Sequence, residues 1–475
     1  MLNRLQEKLL YGLTAAAHEY CTMGLERFAK GGSTRMPAWG TVGAPTFHFN
    51  RHRSASLLHH EVDFVVAIAP VEKSNPSDTS RCAGYRLPVA PRCSARSFCP
   101  MTYAAIAGWG ACMPPAILTN ADLSTFLDTT DEWITSRTGM KERRVSHVTA
   151  MELATVAAAK ALACAGLDAA DLDLIVYGSV TNDEAVPNSA SGVQFGLGAT
   201  GAAAMDINTA CTSFLYGLSS ATAMIRQGMV RNAVVIGVEL ISRYMDWTDR
   251  NVAVLFGDGA AAVVLQASDV ESGVIGSVLG CDSAARDSLR IRGAGLGYCG
   301  RNITLGDTKW DFDGQVIFKR AVKGMSEASE RVMRESGVTA DQIDLVVPHQ
   351  ANLRIIESVA KYAGLPMEKV MLTVQKYGNM SSATVPVALV EALEEGRVKP
   401  GSLLLMPGFG GGLTWASLLV RWGARVTPLG TTDVQVAACS RTALEMVNEI
   451  RAGQDPHGRS KAGLSAAPLT GSDNF

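Results

Sequence analysis

The 475-residue sequence holds ten cysteines (positions 21, 82, 93, 99, 112, 164, 211, 281, 299 and 439) but no Cys-x-x-Cys pair. Without that spacing a zinc site is not expected, and no metal is assigned. Scattered thiols suit a reducing, cytoplasmic compartment better than a secreted disulfide framework. Long apolar runs are missing too: none is long enough to span a bilayer, so no membrane span is expected. Charge of one sign is also lacking. Forty-three Lys and Arg against 45 Asp and Glu leave a net charge of −2, which gives no electrostatic case for nucleic acid or an anionic membrane. The start "MLNRLQEKLLYGLTAAAHEYC" contains Glu7 and lacks a clear cleavage site, which makes it a poor secretory signal. Histidine is scarce as well, with only His147, His349 and His457 beyond Met101.

What is present is a composition 47% hydrophobic and 19% charged, that of a soluble globular α/β enzyme. The length allows two or three domains, or one large module with appendages. Residues 1–100 show little core periodicity and are read as an N-terminal extension, poorly ordered or not native, with Met101 the natural start. At Met101 the character changes to "MTYAAIAGWGACMP", a first strand and turn. The module closes near "WASLLVRWG", and residues 426–475 are expected to form one amphipathic helix, "SRTALEMVNEIRAG", and a disordered tail.

Within the module the sequence repeats itself. "GLDAADLDLIV" (166–176) and "GVTADQIDLVV" (337–347) share length, leading glycine and strand entry. Cys211 and Asn379 each stand 17 residues before a glycine, Gly228 and Gly396, and both intervening segments carry "SSAT". "FGDGAAAVVL" at Phe256 resembles "FGGGLTWASLLV" at Phe409. Two related βαβ-rich halves, 101–270 and 271–425, are therefore expected to face each other across a pseudo-twofold axis. Strands such as "NAVVIGV" and "SLLLMPG" need cover on both faces, which demands layered sheets. A site built from both halves would lie at their junction.

Cys211 stands between the apolar "AAMDIN" and a helical run, at a helix N-terminus where free amides and the helix dipole favour thiolate and lower the pKa. A small buried hydrophobe is the alternative. His349 follows the strand "DLVVP", at a sheet edge where α/β proteins place function. Asn379 occupies the position equivalent to Cys211 in the other half, where the alternative is an N-cap. Together they offer one nucleophile and two neutral donors for a developing oxyanion. "GFGGG" (408–412) leads into a strand and not a helix, so it suits a tight turn bringing amides near a carbonyl better than a phosphate loop.

On "DEWITSRTG", "NTAC", "FGDGAAAVVL", "PHQAN", "YGNMSSATVP" and "GFGGGLTWAS", in this order, residues 101–423 resemble β-ketoacyl-[acyl-carrier-protein] synthase III. The resemblance implies the thiolase fold, a duplicated five-layer αβαβα architecture. It implies Cys211 as acylated nucleophile, His349 and Asn379 as decarboxylation pair, and the amides of Cys211 and Gly411 as oxyanion hole. Trp133, Arg137 and Arg250 would contact coenzyme A, and Asn352 and Arg354 would receive carrier protein or cofactor phosphates. Val186 and Phe409 would line the acyl pocket, Val186 that of a partner in a homodimer. Two positions depart from the family pattern: Val186 is smaller than the usual aromatic, leaving room for a longer or branched acyl group, and Met380 replaces threonine. The implied reaction condenses an acyl-CoA primer with malonyl-acyl carrier protein, with no cofactor beyond the thioesters. Acyl transfer to an amine or hydroxyl is the rival reading, disfavoured by Asn379 in place of a carboxylate; a non-catalytic carrier-protein-binding module ranks behind it.

Overall fold

The computed structural model describes residues 102–293 and 308–453. The readings of 1–100 and of the polar tail from 454 onward fall outside these residues.

The first half begins with β1 (Tyr103–Cys112), followed by α1 (Ala150–Ala165), β2 (Leu174–Gly178), α2 (Ser189–Leu197), β3 (Ala203–Ile207), α3 (Ser213–Arg226), β4 (Asn232–Leu240) and β5 (Asp258–Ser268). The second repeats the order with β6 (Gly273–Cys281), α4 (Gly314–Glu335), β7 (Leu345–Val346), α5 (Leu353–Tyr362), α6 (Thr384–Glu394), β8 (Leu403–Gly410) and β9 (Thr414–Arg421). Hydrogen bonding joins nine strands in the order β7-β8-β9-β6-β1-β5-β4-β2-β3.

That order is symmetric about its middle. In the first half, β1 pairs antiparallel with β5, β5 antiparallel with β4, and β4, β2 and β3 run parallel. In the second, β6 pairs antiparallel with β9, β9 antiparallel with β8, and β8 runs parallel to β7. The counterpart of β3 has shrunk to a parallel bridge between Val346 and Val370. The two sheets meet where Ala104 pairs with Gly273.

Local chemistry explains the matching halves. α1 starts at a Thr149–Glu152 capping box and ends at Gly166 in the left-handed region, the stop that the sequence announces. Gly337 closes α4 with the same φ sign, and each glycine leads through a short 3₁₀ turn into β2 or β7. α1 lies tight on β1 because Gly108 and Gly110 lack side chains; a Cβ at either would stand 2.2 Å from Ala161 O or 2.7 Å from Ala157 O. The apolar runs of β4 and β5 are buried on both faces, α1 covering one and α3 with α6 the other. α3 and α6 form the central layer between the sheets, and α4 with α5 closes the outer face of the second sheet. The expected αβαβα layering is present.

One repeat assignment needs correction. Ser219–Thr222 lies inside α3, whereas Ser381–Thr384 forms the 3₁₀ turn entering α6, so the two "SSAT" copies are not structural equivalents. The other matches hold. The segment after Trp422 is strapped to the first half before its helix begins: Leu429 N–H donates to Cys164 O at 3.0 Å and His147 Nε2 lies 2.6 Å from Ala437 O. The expected amphipathic helix is Ala443–Arg451, with Ala443, Met446 and Val447 buried in the cluster that holds Leu127 and Trp247. Among the described residues no helix is long and apolar enough to cross a membrane.

Candidate active site

Cys211 sits in the turn between β3 and α3. Ala210, immediately before it, has φ +53, a left-handed conformation that costs a non-glycine residue about 1 kcal/mol. Neighbouring hydroxyls hold the turn: Ser213 donates to Ala210 O at 2.7 Å and Thr414, from the other half, donates to Thr209 O at 2.9 Å. The "GFGGG" turn packs on it. A Cβ on Gly410 would stand 2.7 Å from the Cys211 nitrogen, so only glycine fits there. Neither the Cys211 nor the Gly411 N–H is taken by a carbonyl or carboxylate among the described residues. Both are open to an incoming oxygen.

His349 follows β7, its N–H donating to Pro407 O at 2.9 Å. Its Nδ1 lies 2.6 Å from the Thr384 hydroxyl, which is also 2.9 Å from Ser381 O. The ring and the hydroxyl share this contact in two ways: with Nδ1–H donating, Nε2 presents a lone pair, and with the Thr384 hydroxyl donating to Nδ1, Nε2 carries the hydrogen. Asn379 is pinned by backbone bonds to Leu255 O (2.9 Å) and from Gly257 N–H (3.1 Å). Its Oδ1 accepts the Ser381 N–H at 2.8 Å, which leaves Nδ2 as the free donor. Ser381 is, after Ala210, the second non-glycine residue with positive φ among the described residues, +46.

Burial decides the protonation states. Cys211 is 9% exposed, His349 2% and Asn379 6%. Desolvation pushes the Cys211 thiol up to about 12, against smaller lowering by Ser381 and its own amide. This overturns the expectation of a thiol acidified by the helix end: loss of water around the sulfur outweighs the dipole of a helix that begins two residues later. Desolvation likewise lowers His349 to about 3. The resting pair is a neutral thiol and a neutral imidazole. Deeper still lies Glu239, wholly buried and pushed up to about 7 by desolvation, its oxygens held by Val180 N–H (3.2 Å) and the hydroxyls of Ser179 (3.2 Å) and Thr181 (2.7 Å).

All three candidate catalytic residues line one cavity of about 1310 Å³, together with Phe409, Gly411 and, toward the mouth, Trp133, Arg137 and Asn352. Trp133 is flanked by two guanidinium groups, Arg137 at 4.6 Å and Arg250 at 5.1 Å from its ring centre. Arg250 also donates to Asp128 O at 2.5 Å. Asn352 caps α5, accepting from Arg354 N–H at 2.9 Å, and donates to Arg137 O at 3.1 Å. Arg250 and Arg354 stand beside the cavity and do not line it; Arg354 lies 6.0 Å over Phe318, which does. Val186 is 87% exposed and away from this chain's cavity.

Residue reading missed the apolar wall made by Ile317, Ala321 and Met325, one face of α4, which with Ile355 and Phe409 forms a single cluster. Their spacing of four was legible as a helix stripe but is the same for any core helix. It also missed Ser381, Thr384 and Glu239, ordinary polar residues in sequence whose partners come from distant segments.

Fold and site together define a class: a thiolase-type duplicated sandwich that brings a cysteine, a histidine and an asparagine to one cleft at the junction of its halves. Comparison with known proteins narrows it. Family models described as 3-oxoacyl-[acyl-carrier-protein (ACP)] synthase III match residues 205–283, and its C-terminal part matches residues 333–422. The β-ketoacyl-[acyl-carrier-protein] synthase III 2 of Vibrio cholerae is 50% identical over 347 residues, 73% of this chain and 96% of that protein. The corresponding synthase III of Roseiflexus castenholzii is 44% identical over 328 residues, 68% of this chain and 99% of its own. The crystal structure of 3-oxoacyl-[acyl-carrier-protein] synthase III from Aquifex aeolicus superposes with a TM-score of 0.63 at 42% identity, covering 67% of this chain and all of that one. The chain belongs to the β-ketoacyl-[acyl-carrier-protein] synthase III family.

Proposed function

We propose that this protein condenses an acyl-coenzyme A primer with malonyl-acyl carrier protein, releasing carbon dioxide and coenzyme A and forming a 3-oxoacyl-acyl carrier protein in fatty acid biosynthesis. The observation that carries the reading is the shared cavity of Cys211, His349 and Asn379 in a member of this family. In the first half-reaction the Cys211 sulfur attacks the acyl thioester as His349 Nε2 takes the thiol proton. The Cys211 and Gly411 amides receive the tetrahedral oxyanion, which collapses with expulsion of coenzyme A, its sulfur taking the proton from the imidazolium. His349 is neutral again, and in the tautomer in which the Thr384 hydroxyl donates to Nδ1 it carries Nε2–H.

In the second half-reaction malonyl thioester enters, and Nε2–H and Asn379 Nδ2 donate to its carbonyl oxygen. Breaking the bond to the carboxylate leaves an enolate stabilised by both donors in a cleft screened from water. The enolate carbon attacks the acyl carbon, and the departing Cys211 sulfur takes a proton from water, which restores the thiol. Every step moves an acyl group, a proton or carbon dioxide without net electron transfer, so this scheme requires neither metal nor redox cofactor.

The mouth suits a nucleotide. Trp133 between Arg137 and Arg250 offers a stacking face and two phosphate-pairing cations, and Asn352 and Arg354 extend the polar rim for carrier protein. We assign the acyl chain to the apolar wall at Phe409. Val186, just before α2, and Phe195, within it, are 87% and 85% exposed beside the edge strand β3 and supply the contact for a second copy, in which Val186 would complete the acyl pocket. The setting expected is the cytoplasm.

Incubation with acyl-coenzyme A alone, then with malonyl carrier protein, tests the scheme. An acyl adduct at Cys211 followed by carbon dioxide release is expected. Cys211→Ala should form no adduct, and Asn379→Ala should acylate normally yet condense at least roughly tenfold more slowly, having lost one enolate donor. An adduct without decarboxylation in the wild type would point to acyl transfer to another acceptor.

A further inference from the structure

The helix Ala443–Arg451 lies outside both halves and none of its residues lines the cavity, yet it packs behind the residues that build the mouth. A capping box between Thr442 and Glu445 starts it. It lies on two short strands, Ala116–Thr119 and Glu142–Val145, and buries Ala443, Met446 and Val447. The cluster so formed takes in Leu123, Leu127, Ile134, Trp247 and Val252. These come from the three segments that carry Asp128, Trp133 and Arg250.

The last residue of the helix reaches the same place by a second route. Arg451 sets its guanidinium 4.2 Å from the centre of the Phe126 ring, and its Nη1 donates to Asn448 Oδ1 at 2.9 Å, which holds it there. Phe126 meets Trp247 edge-on, with ring centres 6.3 Å apart and planes at 74°. Trp247 is buried, and its Nε1–H donates to Ser242 O at 3.1 Å. Asp128 follows closely on Phe126 in the chain, as Arg250 does on Trp247. Those two close the frame: Arg250 Nη1 donates to Asp128 O at 2.5 Å and to Asp128 Oδ2 at 3.1 Å. The Asp128 side chain is fully exposed and that of Arg250 is 41% exposed, and an ion pair so open to water fixes a geometry weakly. What keeps Arg250 at 5.1 Å over Trp133 is therefore the frame on which both partners stand.

We propose that Phe126 and Arg451 are positioning residues for the acyl donor: through the Phe126–Trp247 pair, the C-terminal helix braces the two segments whose Asp128–Arg250 bond keeps a guanidinium over Trp133. The proposal rests on the reading of Trp133 and Arg250 as the coenzyme A contact and extends it to a helix outside the duplicated module. A preformed clamp has less freedom to lose when the nucleotide arrives, so loosening it costs affinity at the nucleotide end and leaves the rate at the sulfur.

Acylation of Cys211 by acyl-coenzyme A, set beside acylation by the matching acyl-pantetheine, tests this, since the second ester has the same reacting group and no nucleotide. Phe126→Leu, which keeps an apolar side chain and removes the ring, should raise the half-saturating concentration of acyl-coenzyme A roughly tenfold, with the maximal rate and both constants for acyl-pantetheine within about twofold of wild type. Arg451 is exposed. Arg451→Met, which keeps the stem and removes the cation, should raise the same concentration roughly threefold, the size of one cation–π contact, and Arg451→Lys should restore most of it. Because both residues act along one path, the double variant should be no worse than Phe126→Leu alone. Parallel loss with the two esters, which a general loosening of the fold would give, overturns the proposal, as do unchanged constants for acyl-coenzyme A in Arg451→Met. Trp133→Ala separates this failure from that of the reading beneath it. If Trp133→Ala loses acyl-coenzyme A selectively while the Phe126 and Arg451 variants do not, the brace alone is refuted; if it treats both esters alike, the clamp is refuted and the brace with it.

Discussion

At the residue scale, the chemistry of Cys211 follows from what surrounds the sulfur more than from where it falls in the chain. A helix start beside a cysteine was visible in the letters "NTACTSF", and it argued for an acidic thiol. Burial reversed that sign, because desolvation is a property of the closed cleft and no local motif encodes it. Identity and role were thus legible, protonation was not. The support of His349 has the same character: Thr384 is 35 residues away and nothing in its type announces a hydroxyl that holds the ring. Thr384→Val keeps the shape and removes that bond. It should lower kcat of condensation by about tenfold or more, with the KM for both thioesters changed less than about twofold, since the group lost acts on proton position and not on binding. Steady-state kinetics with both substrates varied would check it.

At the scale of elements, the β8–β9 hairpin and the turn before α3 are one device. Gly410 lies against the Cys211 nitrogen, and the Thr414 hydroxyl ties the hairpin to Thr209. The sequence reading took "GFGGG" for a tight turn near a carbonyl, which the geometry supports. It could not tell which glycine is obligatory, because that depends on a segment almost two hundred residues earlier in the chain. Gly410→Ala pushes a methyl into the Cys211 amide. The variant should fold, as φ at 410 is not among the positive ones, but acylate about a hundredfold more slowly through loss of an oxyanion donor. Burst amplitude and rate with acyl-coenzyme A would measure this. The "SSAT" mismatch teaches the reverse lesson: tetrapeptide identity without equal distance from the helix start is not structural equivalence.

For the whole molecule, the duplication was the most legible feature, since glycine stops, strand entries and antiparallel strand pairs recur in both halves. The strap from Trp422 to Ala443 was not, because its bonds to Cys164 and His147 join segments far apart in sequence. Met446 anchors the helix that follows, fully buried. Met446→Ala should cost about 2–4 kcal/mol and lower the melting temperature by several degrees, with site chemistry retained. A chain begun at Met101 keeps both halves and the cavity, and is expected to fold and turn over.

Stability should also carry the mark of the buried ionisable groups. Glu239 binds its proton more tightly folded than unfolded, so its contribution is present below pH 4.5 and is lost as pH rises to about 7, on the order of 3 kcal/mol in all. His349, held down to about 3, acts in the opposite sense and loses stability as pH falls below 6.5. The two oppose each other in mildly acidic solution. Urea unfolding of Glu239→Gln against wild type separates them: the variant should gain on the wild type from pH 5 to about pH 7 and the difference should level off above that.

A nucleophile kept as a neutral thiol has one more consequence. Peroxide attacks thiolate, and the Cys211 sulfur is almost entirely protonated until a substrate arrives, so the resting enzyme should resist sulfenic acid formation at its reactive centre. The exposed Cys281 would be the first of the described cysteines to be oxidised, sparing catalytic capacity through episodes that silence enzymes whose sulfur is ionised at rest.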